Sequence, residues 1–289
     1  MADLTIVIPA YDEADGIGPV LMALAEAMAA SGIAHEIVVV DDGSTDGTGR
    51  AAQALLGKIP GLRVIEHSEN RGYGAALKTG ILAATSSVIG ITDADGTYPN
   101  ERLPDLHRTL LARRADMVVG ARTGANVHIP LVRRPAKAVL RLLANYITGT
   151  QIPDLNSGLR VFRREPVLER FNLISDGFSF TTTVTLALLV RHQPVVFVPV
   201  DYAKRTGSSK IKPFRDTLNF LVLILRVAIY FEPLRIFLPA SAVLGLGGFV
   251  YGVYQVFQGN LGQGPELLML SALNILLVGL IADMISRKN

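Results

Sequence analysis

A chain of 289 residues that is 49% hydrophobic and carries a net charge of only +3 has room for one large α/β domain and a small appendage. It contains no cysteine, which excludes disulfides and thiolate–zinc sites. The apolar residues are unevenly placed: the chain reads as an ordinary globular sequence up to about Pro213 and is far more apolar beyond it.

Met1-Ala2-Asp3-Leu4-Thr5 has no basic segment and no long apolar run, so no signal peptide is expected and the first domain is placed on the cytoplasmic side. Leu4 to Ile8 reads as a strand ended by Pro9, followed by a helical pattern from Gly16 to Ala30. Further strands are expected at Glu36–Val40, Leu62–Glu66, Val88–Thr92, Met117–Val119 and Val195–Val200. Continuous Val/Ile runs separated by helices point to a mostly parallel sheet covered on both faces. Ligands of such sheets bind beyond the carboxyl ends of the strands. Three of these strands end in Pro-Ala-Tyr-Asp-Glu, Asp-Asp-Gly-Ser and Asp-Ala-Asp-Gly, so acidic residues gather where a ligand should sit.

Phe214 to Phe231 is apolar but carries Arg215, Asp216 and Arg226, which suits an amphipathic helix on a membrane surface better than a span. Ile236–Phe257 and Leu267–Ile285 each have the length and composition of a transmembrane helix. The loop Gln258–Pro265 holds no Lys or Arg, whereas Arg235 precedes the first span and Arg287 and Lys288 follow the second. The positive-inside rule then leaves both termini in the cytoplasm. Gly248-Phe-Val-Tyr-Gly252 is a small-xxx-small pattern that allows close helix packing.

Asp93-Ala94-Asp95 places two carboxylates one residue apart just after a buried strand. Clustered carboxylates repel one another unless a cation neutralises them, and hard oxygen ligands suit Mg²⁺ or Mn²⁺ bridging to a diphosphate. Asp41-Asp42-Gly43-Ser44-Thr45-Asp46 is a second acidic turn; Ser44 or Asp46 is expected to cap the helix running toward Leu56, leaving Asp41 free for a base or ribose. Asn70-Arg71-Gly72-Tyr73-Gly74 follows a strand and opens a helix, but the third glycine of a dinucleotide fingerprint is missing.

In order, Pro9-Ala10-Tyr11-Asp12-Glu13, Asp41 to Asp46, Asn70-Arg71-Gly72 and Asp93-Ala94-Asp95-Gly96 resemble the motifs of family 2 glycosyltransferases with the GT-A fold. Val119 to Arg122, Asp154 to Arg160 and Arg205 to Lys210 are similar to the later motifs of dolichyl-phosphate mannose synthase and bacterial polyprenyl-phosphate glycosyltransferases. The resemblance implies a nucleotide-sugar site at Pro9, Ala10, Tyr11, Glu13, Asp41, Asp42, Arg71, Asp93 and Ala94, with Asp93 and Asp95 as metal ligands. It implies an acceptor-phosphate site at Arg122, Arg134, Arg205, Ser209 and Lys210; Asp95, Arg122, Asp154 and Lys210 form the expected catalytic set, Asp154 in a supporting role, either orienting a sugar hydroxyl or ordering the acceptor loop. Arg forks suit phosphate oxygens, and Lys adds a point charge.

Two departures bear on the substrate. Thr97 stands where mannose synthases often carry a Gln, and the absence of Trp removes the Gln-x-x-Arg-Trp motif of processive synthases. The expected organisation is a cytoplasmic GT-A domain over residues 1–212, an amphipathic membrane-surface helix over 213–234 and a two-helix transmembrane hairpin over 235–289. The expected reaction is inverting transfer from a UDP- or GDP-sugar to undecaprenyl or dolichyl phosphate with Mg²⁺ or Mn²⁺, at the cytoplasmic membrane. A homo-oligomer fits the resemblance, and no nucleic-acid partner is expected. Two other readings stand beside it. With a lipid hydroxyl as acceptor, Asp154 would serve as a base; alternatively, the chain would be a non-catalytic nucleotide-sugar-binding scaffold.

Overall fold

The computed structural model describes residues 2–123, 134–203, 222, 224–230, 232–259 and 262–288, without the side chains of 134–140, 287 and 288. The chain divides into two compact units, Met1–Phe220 and Leu221–Asn289.

The first unit is built on a sheet of seven strands: β1 Leu4–Ala10, β2 His35–Asp41, β3 Leu62–Glu66, β4 Val88–Ile91, β5 Met117–Ala121, β6 Arg160–Arg163 and β7 Val195–Pro199. Their order is β3-β2-β1-β4-β6-β5-β7, parallel throughout except for β6, which runs antiparallel to both its neighbours. Seven helices belong to this unit among the described residues: α1 Ala14–Ser31, α2 Thr48–Gln53, α3 Tyr73–Ala83, α4 Leu103–Ala112, α5 Arg134–Thr148, α6 Arg164–Leu168 and α7 Phe180–Val190.

Every residue of β1 is buried, as expected of a strand covered on both faces. Alternation sends Leu4, Ile6 and Ile8 into one core with Ile17, Leu21 and Leu24 of α1 and Leu106 of α4. It sends Val7 into the opposite core with Leu77 and Ile81 of α3 and Val184 and Leu188 of α7. Gly80 lets α3 press onto this face, because a Cβ there would collide with the Val7 side chain.

The mostly parallel α/β architecture matches the sequence reading, with local corrections. The first strand does not stop at Pro9 but passes through it to Ala10. The proline lies beyond the last β1–β4 pair, Val7↔Ile91, where that ladder has ended. Strand β6 and helices α5 and α7 were not expected. Phe180–Val190 carries four threonines, a β-branched composition that favours strands. It is nevertheless helical and wholly buried, and the Thr183 and Thr185 hydroxyls are satisfied within the helix by donating to the carbonyls four residues back, at 2.8 and 2.7 Å.

The second unit contains α8 Leu234–Phe257 and α9 Gly264–Lys288, preceded by helical residues at 222 and 224–230. The rest of the expected surface helix lies outside the described residues. Both long helices are apolar enough to cross a membrane, with mean hydropathy of 1.8 and 2.2 over their candidate spans. They pack through small residues: a Cβ on Gly248 would lie 3.0 Å from Leu268 Cβ, and one on Gly252 would lie 3.4 Å from Pro265 Cβ. The Ser241 hydroxyl donates to the Ala272 carbonyl at 2.8 Å across the pair.

Candidate active site

The carboxyl ends of β1, β2 and β4 lie side by side, since β1 pairs with both of the others. The segment after β1 is sewn to the segment after β2. Asp12, at φ +51°, donates its N–H to the Ser44 hydroxyl at 3.0 Å and accepts the Thr45 N–H at 3.0 Å. The N–H groups of Glu13 and Ala14 donate to Thr48 Oγ1 at 2.8 Å and Asp46 Oδ2 at 3.0 Å. Gly16 lets the first turn of α1 touch the acidic turn after β4: a Cβ there would lie 3.0 Å from the Ala94 carbonyl oxygen and 3.8 Å from a Glu13 carboxylate oxygen. Pro9, Ala10, Tyr11, Glu13, Asp41, Asp93, Ala94 and Asp95 therefore gather at the carboxyl ends of three interior strands.

The second acidic turn meets the capping expectation in part. Helix α2 has Gly47 at its N-cap, with no side-chain bond from that residue, while Asp46 Oδ1 accepts the N–H of Thr48, the first helical residue, at 2.9 Å. Ser44 instead donates both its N–H and its hydroxyl to Asp41 Oδ1, so Asp41 is partnered rather than free. Asp42 is buried, and both of its carboxylate oxygens are engaged within the protein. They accept the N–H groups of Arg71 at 3.0 Å and Gly72 at 2.8 Å, and one contacts His67 Nδ1 at 2.7 Å. The Arg71 backbone is thus fixed, while its side chain is exposed.

The Asp93 carboxylate accepts the Tyr73 hydroxyl at 3.0 Å. Desolvation of that hydroxyl, and then the Asp93 charge, raise its pKa well above the usual tyrosine value. Asp95 Oδ1 accepts the Thr97 N–H at 3.1 Å and the Thr97 hydroxyl at 2.6 Å. Gly158 leaves room for Asp93, because a Cβ there would stand 2.7 and 2.8 Å from its two carboxylate oxygens.

Across the sheet, Arg122 follows β5 and grips Asp154 with a fork: Nε to Oδ2 at 2.7 Å and Nη2 to Oδ1 at 2.9 Å, with the Arg122 N–H adding a third bond at 3.0 Å. Burial alone would raise the Asp154 carboxyl. The bonds and charge of Arg122, with the Asn156 N–H, outweigh that and hold it below its ordinary value. Arg160, at the head of β6, is completely buried beside this loop. It donates to the carbonyls of Ser157 and Thr181 and to the Thr185 hydroxyl, and burial pushes its pKa down to about 10.

The two groups are joined by residues to which the sequence assigned no role. Tyr98 accepts the Gly158 N–H on its hydroxyl at 2.8 Å, and Tyr202 lies against both Tyr98 and Arg122. Tyr202 carries no motif; only its place just beyond the end of β7 could have pointed to it. Arg205, Ser209 and Lys210 lie outside the described residues, as does the side chain of Arg134.

Comparison with known proteins follows the same division. Residues 5–171 match the Glycosyl transferase family 2 model, and residues 232–287 match the GtrB C-terminal hairpin. Dodecaprenyl-phosphate galacturonate synthase of Rhizobium johnstonii is 27% identical, over 99% of this chain and 88% of that protein. Dolichyl-phosphate hexose transferase of Haloferax volcanii is 33% identical, over 73% of this chain and 88% of that protein. Glucosyl-3-phosphoglycerate synthase from Mycobacterium tuberculosis, solved with Mn²⁺, uridine diphosphate and phosphoglyceric acid, superposes with a TM-score of 0.61. That match is 18% identical and covers 78% of each chain, a likeness of fold.

Proposed function

We propose, because this chain belongs to glycosyl transferase family 2, that it moves a sugar from a nucleotide-sugar onto a polyprenyl phosphate, giving a polyprenyl-phosphate sugar. One observation carries the reading. The acidic turn Asp93–Asp95 follows β4, the Arg122–Asp154 fork follows β5, and Gly158 of the fork's loop lies against the Asp93 carboxylate, in a chain that also contains two helices of membrane-spanning length. The named relatives, which act on dodecaprenyl and dolichyl phosphates, support the same acceptor class.

Pro9, Tyr11, Glu13 and Asp41 are assigned to the nucleoside side. Asp42 is assigned a supporting role, holding the Arg71–Gly72 loop from below. Asp93 and Asp95 on one turn, with Gly158 leaving room for Asp93, would hold Mg²⁺ or Mn²⁺ through hard carboxylate oxygens. A bound divalent ion supplies positive charge to the departing diphosphate.

The acceptor phosphate is already an anion and needs no base. One of its oxygens forms a bond to the anomeric carbon as the bond to the diphosphate breaks. The electron pair leaves with the nucleoside diphosphate, and the configuration inverts. Arg122, Arg134, Arg205, Ser209 and Lys210 are assigned to hold that phosphate. Asp154 is ionised and occupied by Arg122, so its assigned role is to orient that fork rather than to take a proton.

The assigned domains are 1–212 for catalysis, 213–234 at the membrane surface and 235–289 as a transmembrane hairpin with both termini cytoplasmic. The reaction is tested with the purified chain in detergent, undecaprenyl phosphate, Mn²⁺ or Mg²⁺, and a panel of UDP- and GDP-sugars. Release of nucleoside diphosphate that requires the lipid phosphate, and is lost with EDTA and in Asp95→Ala, is the expected result. Donor binding without release from any pair would overturn the reading.

A further inference from the structure

The acidic turn follows β4 and Arg122 follows β5, two strands separated in the sheet by β6. One ring, that of Tyr202, contacts Arg122 on one side and Tyr98, three residues beyond Asp95, on the other. The Tyr202 ring meets Tyr98 edge-on, with centroids 5.1 Å apart and planes at 67°. The Arg122 guanidinium carbon lies 5.2 Å from the centre of the same ring. The N–H of the next residue, Ala203, donates to the Thr97 carbonyl at 3.1 Å.

The connections continue in both directions. Thr97 holds the Asp95 carboxylate through its N–H and hydroxyl. Tyr98 holds the Gly158 N–H, and Gly158 packs against the Asp93 carboxylate. On the other side, Asp154 takes Nε and Nη2 of Arg122, leaving the Nη1 edge as the part of the fork that Asp154 does not occupy. The Tyr202 ring packs against the same guanidinium that Asp154 holds.

We propose that Tyr202 is a positioning residue that couples the Asp93–Asp95 turn to the Arg122–Asp154 fork, so that one ring sets the diphosphate side and the acceptor-phosphate side of the site relative to each other. This rests on the assignment of sides made under the proposed function. The ring itself makes both contacts, by edge-to-face packing and by cation–π attraction, so phenylalanine preserves them and an aliphatic side chain does not.

The test uses the full chain in detergent with Tyr202→Phe, Tyr202→Leu and Tyr202→His, each checked by its melting curve. Mn²⁺ affinity in the presence of UDP or GDP is read by electron paramagnetic resonance, and the acceptor KM by transfer. Tyr202→Phe is expected to leave both within about twofold. Tyr202→Leu is expected to weaken Mn²⁺ binding and raise the acceptor KM together, each by about three- to tenfold, the size of such ring contacts. If the leucine variant does not fold, Tyr202→His is read in the same way, with smaller shifts on both sides. A drop in melting temperature and kcat with both constants unmoved, or a change on one side only, overturns the proposal. A double-mutant cycle keeps it distinct from the transfer reaction. Asp154→Asn should weaken Mn²⁺–nucleotide binding less when Tyr202 is already leucine, whether or not transfer to lipid phosphate is observed. Additive effects, or no Mn²⁺ binding by the unaltered chain with either nucleotide, overturn the coupling.

Discussion

At the scale of single residues, the arrangement separates groups that act from groups that hold. Asp154 is depressed in the folded chain, so its pairing stabilises fully above the unfolded value of about 3.9 and is lost as pH falls through the lower folded value. Across the neutral range it stays ionised, which makes it a poor proton acceptor. Asp154→Asn is therefore expected to lower kcat about ten- to a hundredfold while leaving the shape of the pH–rate profile unchanged; loss of an ionisation from that profile would assign it as a base. The same variant leaves Arg122 buried without its partner and should cost about 3 kcal/mol, read as a lower melting temperature. Gly158→Ala places a methyl group against the Asp93 carboxylate and should weaken Mn²⁺ binding in a protein that remains folded, checked by metal titration beside a melting curve. The acidic turns and Arg122 were legible in the sequence because each follows a strand as a motif of chemically scarce residues. Tyr202, Tyr98 and Gly158 were not, because their contribution lies in contacts between segments far apart in the chain.

At the scale of elements, the parallel strands could be read because they are continuous apolar runs buried on both faces. Strand β6 could not be read, since Arg160-Val-Phe-Arg is short and charged, and Arg160 is buried only through the Ser157, Thr181 and Thr185 acceptors that surround it. Helix α3 carries two tests of the packing. Gly80→Ala would drive a methyl group into Val7, a β-branched side chain that yields little, and should cost about 1–3 kcal/mol in a denaturant titration. Asp42→Ala removes the acceptor for the Arg71 and Gly72 N–H groups and for His67, and should loosen the loop that opens α3. Donor KM is expected to rise about tenfold or more with a smaller effect on acceptor KM; an unchanged donor KM would detach this loop from the nucleotide side.

At the scale of the whole molecule, the chain divides into two compact units, Met1–Phe220 and Leu221–Asn289, and the second contains two helices apolar and long enough to cross a membrane. Within the hairpin, Gly248, Gly252 and Gly279 are contact points between α8 and α9; a Cβ on Gly279 would lie 2.5 Å from Phe237 Cβ. Gly279→Leu should force the two helices apart and lower the yield of detergent-stable protein, and an unchanged yield would show the contact to be dispensable. The central claim concerns what receives the sugar, and the most direct measurement compares a lipid phosphate with the alcohol of identical chain and with a second lipid hydroxyl. The purified protein, given its active donor, is offered undecaprenyl phosphate, undecaprenol and diacylglycerol, and the products are identified by mass spectrometry with the anomeric configuration read by nuclear magnetic resonance. Product from the phosphate alone, with the sugar joined through a phosphate oxygen and the configuration inverted relative to the donor, is the expected result. Product from undecaprenol or diacylglycerol would make the acceptor a hydroxyl and contradict the claim.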